Sequence, residues 1–429
     1  MAEPLRVLAT ADLHVADTLG LAGLHPTGPG GQPLVLEQAR ATLGWIGDLV
    51  FSEGPDVVIV AGDVYSTPRP SPACQAVVQE ALAAWADSGA LVVVLLGNHD
   101  RPNGGGVHAL EPPRYLRPEP RRHMRPGRIV VVDDFEPLVI VSAYPDVGEL
   151  DVLRSADVDL TEGARHPPIA IIYPLPYPSR AAAALHASTV CGTLQEVGAG
   201  LGPVVRAHAL LAQQARKAHP GVPQILIGHG TVEGASFGGQ GQPLADVPIP
   251  TERFDAFDAA LWGHVHDGRQ PAGDGPCHTY IGAPDRITFG EAGNTPGVMI
   301  IDLHGRDDGD GPDVHREENP APRQFVTMSP GEFAAAPQDA ELWPGLVARV
   351  TGDVTEEEHA EISTRVRAMV RQGHIIANQT VVPRVARARA ELDPSAGVDD
   401  VLSAVFRVRP DLAAQEDSIR AKVRDLMEE

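Results

Sequence analysis

Nine polar residues in five short patches could together bind metal ions and transfer a proton. Each patch sits at or just past the end of an apolar run, and the residues are Asp12, His14, Asp63, Asn98, His99, Asp100, His229, His264 and His266. Carboxylate, amide and imidazole groups are ligands for divalent cations. The set could hold two such cations and still leave an acid, and these are the parts needed to cut a phosphodiester bond.

The spacing inside the first and last patches favours shared metal binding. Asp12 and His14 lie two residues apart, and so do His264 and His266. Alternate side chains of extended backbone point to the same side, so each pair can reach one metal from the end of a strand. A single D-x-H pattern is common and mostly accidental, whereas G-H-x-H after an apolar run is moderately specific.

The two central patches each follow a strand through a glycine. Gly62 lets the backbone turn sharply before Asp63, and the range Gly97–Asp100 places three polar side chains directly after an apolar run. A carboxylate that bridges two metals would hold them roughly 3.5–4 Å apart, the spacing used for in-line displacement at phosphorus. All five patches in this order and context indicate one site.

The first third of the chain predicts the elements that position these patches. Strands are predicted at Leu5–Ala11, Asp56–Ala61 and Ala90–Leu96, with helices at Leu34–Phe51 and Ser71–Ser88 between them. This alternation is typical of a largely parallel inner sheet with helices outside it.

Further short apolar runs predict additional strands. The predicted strands are Arg128–Val132, Leu138–Ala143, Ile169–Tyr173, Gln224–Gly228, Ala259–Trp262, Thr279–Ile281 and Val298–Leu303. The first two could form a hairpin about Asp134, and a helix is predicted at Val204–Ala218. We therefore predict an α/β (α+β) fold of two sheets packed face to face and flanked by helices, with the metals at the strand ends.

The chain after residue 305 is predicted to hold two smaller parts. The polar, Pro/Asp/Gly-rich segment Gly305–Pro322 is the best linker candidate. Residues 323–392 then read as a small α+β module, with strands at Leu346–Val350 and Ile375–Val382 and a helix at Thr355–Arg371. Residues 393–429 form a tail.

The tail is predicted to contain two short amphipathic helices, Val398–Val408 and Leu412–Met427. Their apolar faces are too small to form a core alone, so they must pack on the module or on a partner.

Composition limits the function classes. The net charge of −23 argues against a protein that coats nucleic acid nonspecifically, although bound metals would supply local positive charge to a nuclease. We expect no signal peptide and no membrane span, and three widely separated cysteines fit a reduced cytoplasmic setting. Ten other histidines, among them His108 and His208, read as surface or loop residues.

Four segments around the patches resemble those of a known family. They are Gly62–Tyr65 followed by Arg69–Pro72, Ile227–Gly230 before a loop with Glu233-Gly234, Phe257–His266, and Tyr280–Pro284 followed by Thr288–Glu291. With the five patches, they resemble the calcineurin-like metallophosphoesterase superfamily and, within it, the bacterial SbcD-type nucleases of DNA double-strand-break repair. The resemblance is strong over residues 1–303 and looser after them.

The resemblance implies two ligand sets that share one carboxylate. They are Asp12, His14, Asp63 and His266 for one ion, and Asp63, Asn98, His229 and His264 for the other. It implies that His99 is the general acid, that Asp100 orients His99, and that the two divalent ions are Mn²⁺. Relatives outside bacteria carry a second catalytic histidine where Ser66 stands here.

The same resemblance implies a domain plan and a function. Residues 1–305 would form the metallophosphoesterase (nuclease) sandwich, 323–392 a capping domain, and 393–429 a helical tail that docks an SbcC-like ATPase. The expected activity is Mn-dependent cleavage of DNA, both as an exonuclease and as an endonuclease, at ends and hairpins. A homodimer is an assembly that the resemblance allows. The alternative is a phosphodiesterase or phosphatase of nucleotides or other small phosphoesters. Arg69, Arg101 and Arg286 are candidates for a DNA groove.

Overall fold

The computed structural model describes most of the chain. The described residues are 4–19, 27–28, 30–102, 107–111, 128–144, 149–155, 167–177, 201–237, 248–273, 275, 277–304, 311–335, 346–352, 355–371, 377–383, 401–403, 406 and 416–428. In these ranges, no helix combines the length and the apolar character that crossing a bilayer requires.

Strands and helices alternate through the first third of the chain, and strands dominate the part that follows. In chain order the elements are β1 (Leu5–Thr10), α1 (Leu34–Glu53), β2 (Val57–Ala61), α2 (Pro72–Asp87), β3 (Leu91–Leu95), β4 (Arg128–Val132), β5 (Leu138–Tyr144), β6 (Glu149–Arg154), β7 (Pro168–Leu175), α3 (Gly202–Ala218), β8 (Gln224–His229), β9 (Ala259–Gly263), β10 (His278–Tyr280), β11 (Gly297–Leu303), β12 (Asp313–Glu318), β13 (Gln324–Met328), α4 (Pro330–Ala335), β14 (Leu346–Gly352), α5 (Glu356–Arg371), β15 (Ala377–Pro383) and α6 (Glu416–Glu428).

Two six-stranded sheets form the main body. The first has the order β12-β11-β1-β2-β3-β4, and the second has the order β10-β9-β8-β7-β5-β6. The strands from β1 to β4 run parallel to one another, as do β7 to β10, while β11, β12, β5 and β6 join antiparallel. The predicted α/β fold with two sheets is confirmed.

The apolar strands supply two cores because their side chains alternate between the two faces of a sheet. Leu8 and Val58 belong to a buried cluster with apolar side chains of α1 and α2. Ala9 and Ile59 belong to a second cluster that includes Ile227 of the other sheet. Strands that are buried on both faces read as continuous apolar runs, which is why β1, β2 and β3 could be predicted.

The helix ends follow from local sequence. Ser71 caps α2 by accepting a hydrogen bond from the backbone N–H of Cys74 at 3.2 Å, with Pro72 in the first turn. Helix α1 ends at Gly54, whose φ of 57° is the left-handed conformation common after a helix. The helices predicted at 34–51 and 71–88 are confirmed within two residues.

A third sheet has the order β13-β14-β15. Its last two strands and α5 confirm the elements predicted at 346–350, 375–382 and 355–371.

The chain divides into two compact units. One consists of Met1–Thr327, Pro337–Arg349 and Val366–Thr380, and the other of Met328–Ala336, Val350–Arg365 and Val381–Glu429. In the second unit, Arg365 donates a hydrogen bond to the carbonyl of Ala334 at 2.7 Å. The predicted boundaries of the capping domain and tail stay predictions.

Two local predictions need correction. The hairpin about Asp134 is wrong, because β4 pairs with β3 in the first sheet while β5 pairs with β6 and β7 in the second. The segment Gly305–Pro322 is not all linker, since β12 pairs antiparallel with β11 along its full length. Strand β6 was not predicted. Of the predicted tail helices, α6 covers most of the second, and 398–400, 404–405, 407–408 and 412–415 lie outside the described residues.

Candidate metal centre

The predicted site residues gather at one edge where the two sheets meet. Each lies at the carboxyl end of a parallel strand, or directly beyond it, on β1, β2, β3, β8 or β9. The first three strands belong to one sheet and the last two to the other. The ring of His229 joins them, because its Nδ1 donates a hydrogen bond to the carbonyl of Ala61 at 2.8 Å.

Four of these residues adopt strained backbone conformations. Asp12, His14, Asp63 and His264 have φ values of 53°, 44°, 51° and 93°, and within the described ranges no other non-glycine residue has a positive φ. Such conformations cost about 1–3 kcal/mol each and persist where the surroundings fix them. Here the backbone N–H of Asp12 donates to the carbonyl of Gly62, and that of His14 to the carbonyl of Asp63, both at 3.0 Å.

Two glycines make room for the ligands. Gly62 has a φ of 89°, and a Cβ atom there would lie 2.3 Å from Nδ1 of His229. A Cβ atom at Gly97 would lie 2.1 Å from Oδ1 of Asp63. Both positions therefore require the absence of a side chain, which explains the glycine before Asp63 and the glycine before Asn98.

The first group of candidate ligands is Asp12, His14 and His266. One potential ligand atom from each lies within 4.8 Å of the other two, and all three side chains are buried. Both carboxylate oxygens of Asp12 accept from the backbone N–H of His264, at 2.9 and 3.0 Å. Nε2 of His14 is buried without a hydrogen-bond partner. An orphaned buried nitrogen beside a carboxylate fits a cation ligand.

The second group is Asp63, His229 and His264, which also meet the 4.8 Å limit and are buried. Nε2 of His229 lies 3.3 Å from Oδ2 of Asp63. Oδ1 of Asn98 lies 3.0 Å from that same nitrogen and 3.1 Å from Nδ1 of His264. The amide oxygen therefore reaches the same point as the other three side chains.

A third group links the first two through His14, Asp63 and His99. Oδ2 of Asp63 lies 3.5 Å from Nε2 of His14, and Oδ1 accepts from the backbone N–H of His99 at 2.8 Å. Asp63 therefore lies between the two groups. The ring of His99 is exposed, and its Nδ1 donates a hydrogen bond to the carbonyl of Ser66 at 2.9 Å.

The ionisable groups of the site shift one another's pKa values. Burial would raise the pKa of Asp63, but attraction to the neighbouring histidines, His229 first, together with a hydrogen bond from His229 outweighs it and holds that pKa well below its ordinary value. Burial opposes the charged form of His229, yet attraction to Asp63 raises its pKa to about 9. Burial lowers the pKa of His14 well below its ordinary value, and raises that of Asp12. His14 is therefore neutral, the form of imidazole that binds metals.

This donor set fits divalent cations. It combines hard carboxylate and amide oxygens with imidazole nitrogens. Two groups of candidate ligands with a carboxylate, that of Asp63, between them match the arrangement of two-metal phosphoester hydrolases. Residues 5–268, more than half of the chain, match the model of the family described as Calcineurin-like phosphoesterase.

The chain belongs to this calcineurin-like phosphoesterase family. It is 28% identical over 320 residues to the SbcD component of the SbcCD nuclease of Rhodobacter capsulatus, covering 70% of this chain and 67% of that relative. It is 25% identical over 304 residues to the protein of the same name from Bacillus subtilis, covering 70% of this chain and 66% of that relative. The chain spans about two thirds of the length of these relatives.

Family membership makes the protein a hydrolase, a metal-dependent phosphoesterase. Both relatives are named as subunits of a nuclease, and a nuclease cleaves phosphodiesters, which supports phosphodiester hydrolysis. The donor groups described above support bound divalent metals. The identity of the metal and the assignment of each ligand are proposals.

One contact expected in this phosphoesterase is wrong. Asp100 was expected to orient the His99 ring, but its carboxylate accepts instead from the backbone N–H groups of Val64, Tyr65 and Gly97, at 3.2, 3.0 and 2.9 Å. Burial and repulsion from Asp63 raise the pKa of Asp100 to about 6. Asp100 thus fixes the backbone on both sides of the site, and the carbonyl of Ser66 orients His99.

Sequence reasoning missed the contact between Glu291 and His266. Oε1 of Glu291 accepts a hydrogen bond from Nδ1 of His266 at 3.1 Å, and Glu291 is buried. Thr288 stands three residues before Glu291, a spacing that signals a local capping pair, but no local pattern indicates a contact across 25 residues.

Two aromatic residues that the sequence did not single out line the second group. The Tyr177 ring lies 5.8 Å from the His264 ring and 6.2 Å from the His229 ring, and Phe237 packs edge-on against His264 at 5.8 Å. They limit the rotation of two candidate ligands.

Two of the candidate groove arginines are engaged elsewhere in the fold. Arg101 donates to the carbonyl of Asp133 at 2.7 Å, and Arg286 donates to the carbonyls of Asn294 and Arg323, each at 2.9 Å. Arg69 is exposed.

Two histidines expected at the surface are buried. His108 is 7% exposed and lies 3.2 Å from the carboxylate of Glu111, and His208 is 3% exposed and bonds to the carbonyl of Phe135. Their surroundings tie them to the fold, and they stay apart from the metal centre.

Proposed function

We propose that this phosphoesterase is a Mn-dependent DNA nuclease, with exonuclease and endonuclease activity, that works with an SbcC-like ATPase. One observation carries the proposal. An exposed imidazole, His99, stands beside the carboxylate of Asp63, which lies between two groups of candidate ligands. Two relatives named as components of a nuclease support DNA as the substrate.

The proposed ligands follow the two groups. Asp12, His14, Asp63 and His266 would hold one ion, and Asp63, Asn98, His229 and His264 would hold the other. Divalent cations bound there would act as Lewis acids on phosphoryl oxygens and activate water.

His99 is the proposed general acid. Its Nδ1 donates to the carbonyl of Ser66, so Nε2 is the nitrogen that would deliver a proton to the leaving oxygen. The Ser66 carbonyl favours a protonated Nδ1 and holds the ring in one orientation. Ser66 itself donates from Oγ to the carbonyl of His14 at 2.8 Å, which joins the acid to a candidate ligand through one residue.

A substitution at His99 tests this role. His99→Ala should retain Mn²⁺ binding, measured by calorimetry, and lose about 10²–10⁴-fold in turnover, the usual contribution of general acid–base catalysis. The control is His315→Ala, which removes an imidazole that is 67% exposed on β12. Unchanged turnover in His99→Ala on bis-p-nitrophenyl phosphate and on DNA would exclude His99 as the acid. An activated leaving group alone can hide the loss, so DNA is the deciding substrate.

The substrate class needs a separate comparison. Linear double-stranded DNA, hairpin DNA and cyclic nucleotides should be tested side by side with Mn²⁺, and we expect cleavage of both DNA forms. A specific observation favours the alternative of small phosphoesters: the chain has a net charge of −23, and Arg101 and Arg286 are engaged in bonds to backbone carbonyls. Cleavage of cyclic nucleotides alone would overturn the nuclease proposal.

The ATPase proposal concerns residues 393–429. Helix α6 has apolar residues at helical spacing, including Ile419 and Val423, both half-buried. We propose that the tail docks the partner, which would bring its own DNA-binding surface to this acidic protein. Deleting residues 396–429 should abolish co-purification with a co-expressed ATPase while leaving hydrolysis of bis-p-nitrophenyl phosphate intact. Retained co-purification would place the docking surface elsewhere.

A further inference from the structure

Glu291 is a buried carboxylate that directly contacts a candidate ligand. It is 1% exposed, and its Oε1 lies 3.1 Å from Nδ1 of His266, which is 8% exposed. A buried carboxylate needs hydrogen-bond partners, because burying an unpaired charge is costly. The position of Glu291 therefore depends on a defined set of donors.

Those donors hold Glu291 in one place. Oε1 also accepts from the Thr288 hydroxyl at 2.8 Å, and Oε2 accepts from the backbone N–H of Ile287 at 2.9 Å. The residue closes the short 3₁₀ turn Phe289–Glu291. Since both oxygens are engaged, the carboxylate is a fixed acceptor for the imidazole.

A fixed acceptor determines which nitrogen of His266 can bind a cation. With Nδ1–H donated to Glu291, Nε2 is the nitrogen that remains, and the ring belongs to the group with Asp12 and His14. Metal-binding histidines commonly donate their other N–H to a carboxylate, which sets the tautomer and raises the basicity of the ligand.

We propose that Glu291 is a positioning residue that sets the cation affinity of the first group, through the orientation and tautomer of His266. The inference rests on the proposed role of His266 as a ligand. The effect should be selective, because the described contacts of Glu291 reach His266 and not His229 or His264 of the second group.

The test measures cation binding without substrate, so it stands apart from the question of which phosphoester is cleaved. Metal-free full-length protein is titrated with MnCl₂ by calorimetry and by the electron paramagnetic resonance of free Mn²⁺. In Glu291→Ala we expect one Mn²⁺ to bind about 10–100-fold more weakly, the usual result of removing such a partner, while the other keeps its affinity. Glu291→Gln retains an acceptor oxygen and should show a smaller loss. His266→Ala should weaken the same ion.

The chain offers a matched control. His315 and Glu317 form the same kind of pair, with Nε2 2.6 Å from Oε1, on exposed β12. Glu317→Gln should leave both Mn²⁺ affinities unchanged.

Activity adds a second readout. The Mn²⁺ concentration that gives half-maximal hydrolysis of bis-p-nitrophenyl phosphate should rise in Glu291→Ala, and saturating Mn²⁺ should restore most of the turnover. A purely structural role would lower thermal stability and weaken both ions equally, or neither, and either result overturns the proposal. If Glu291→Ala does not fold, Glu291→Gln decides by the same criteria.

Discussion

Gly97→Ala is the sharpest single test of the metal centre. A Cβ atom at this position would lie 2.1 Å from Oδ1 of Asp63, 2.8 Å from its Cγ and 2.3 Å from its backbone nitrogen. Comfortable contacts between non-bonded heavy atoms are about 3.5–4.0 Å, so the added carbon would lie more than about 1 Å too close to Oδ1 and to the backbone nitrogen. Rotation of the Asp63 side chain can relieve the first two contacts but not the third.

The backbone at Gly97 and the backbone at Asp63 must therefore move apart by roughly 1 Å to restore a normal packing distance. Asp63 lies between both groups of candidate ligands, so its displacement affects both at once. A misplacement of this size costs about 100-fold in rate, and overpacking costs about 1–3 kcal/mol of stability. We expect turnover with saturating Mn²⁺ to fall by about that rate factor, with a lower unfolding midpoint.

Gly44→Ala is the matched control. Gly44 is exposed on α1, and a Cβ atom there would meet nothing within 4 Å. Replacing a helical glycine by alanine stabilises by about 1 kcal/mol, so this variant should keep full turnover and melt slightly higher. Hydrolysis of bis-p-nitrophenyl phosphate and thermal unfolding are measured for both. If folded Gly97→Ala retains turnover close to that of Gly44→Ala, the close packing of Gly97 on Asp63 is not needed for activity.

Three further predictions concern stability. Asp285→Ala should lower the free energy of unfolding by about 3–5 kcal/mol, because it leaves the buried guanidinium of Arg323 without its partner at 2.8 Å. Urea denaturation measures this free energy, and the double variant with Arg323→Met should recover part of the lost stability. A hydrogen bond from Arg6 lowers the pKa of Asp302. The pair therefore stabilises the fold at pH values above the ordinary Asp pKa of about 4, and this stabilisation is lost as the pH falls below it. In thermal unfolding of the metal-free protein, the melting temperature of Asp302→Asn should fall less steeply with acid than that of the wild type. MnCl₂ at about 100 times its Kd should stabilise the fold by about 2.7 kcal/mol, which raises the midpoint of thermal unfolding. An equal rise of this midpoint in Asp63→Ala would contradict the assignment of Asp63 as a ligand.

The sequence indicated the inner strands and the gathering of the site because both depend on local patterns. β1, β2 and β3 are buried on both faces, so each reads as an apolar run with a polar patch behind it. In parallel strands these patches necessarily reach the same edge. The convergence of Asp12, Asp63 and Asn98 follows from that geometry.

Other features depend on contacts that no local pattern records. β12, Asp313–Glu318, is a charged segment that pairs with β11 through the backbone and has no apolar run to predict it. β4 and β5 are separated by five residues yet belong to different sheets, so a short polar connection did not mean a hairpin. The Ser66 carbonyl that bonds His99 also has no side-chain signature, and adjacency in sequence suggested Asp100 in its place.

Burial separates the two proposed roles of histidine, which residue type cannot do. His14, His229, His264 and His266 are each less than 9% exposed, whereas His99 is exposed. Ligands gain from burial, because low dielectric surroundings strengthen the attraction between a cation and its donors. A proton donor must instead reach the leaving group and exchange its proton afterwards. The backbone N–H of His99 is held by Asp63 and its ring by a carbonyl, so it stays beside the ligands while its Nε2 is left for proton transfer.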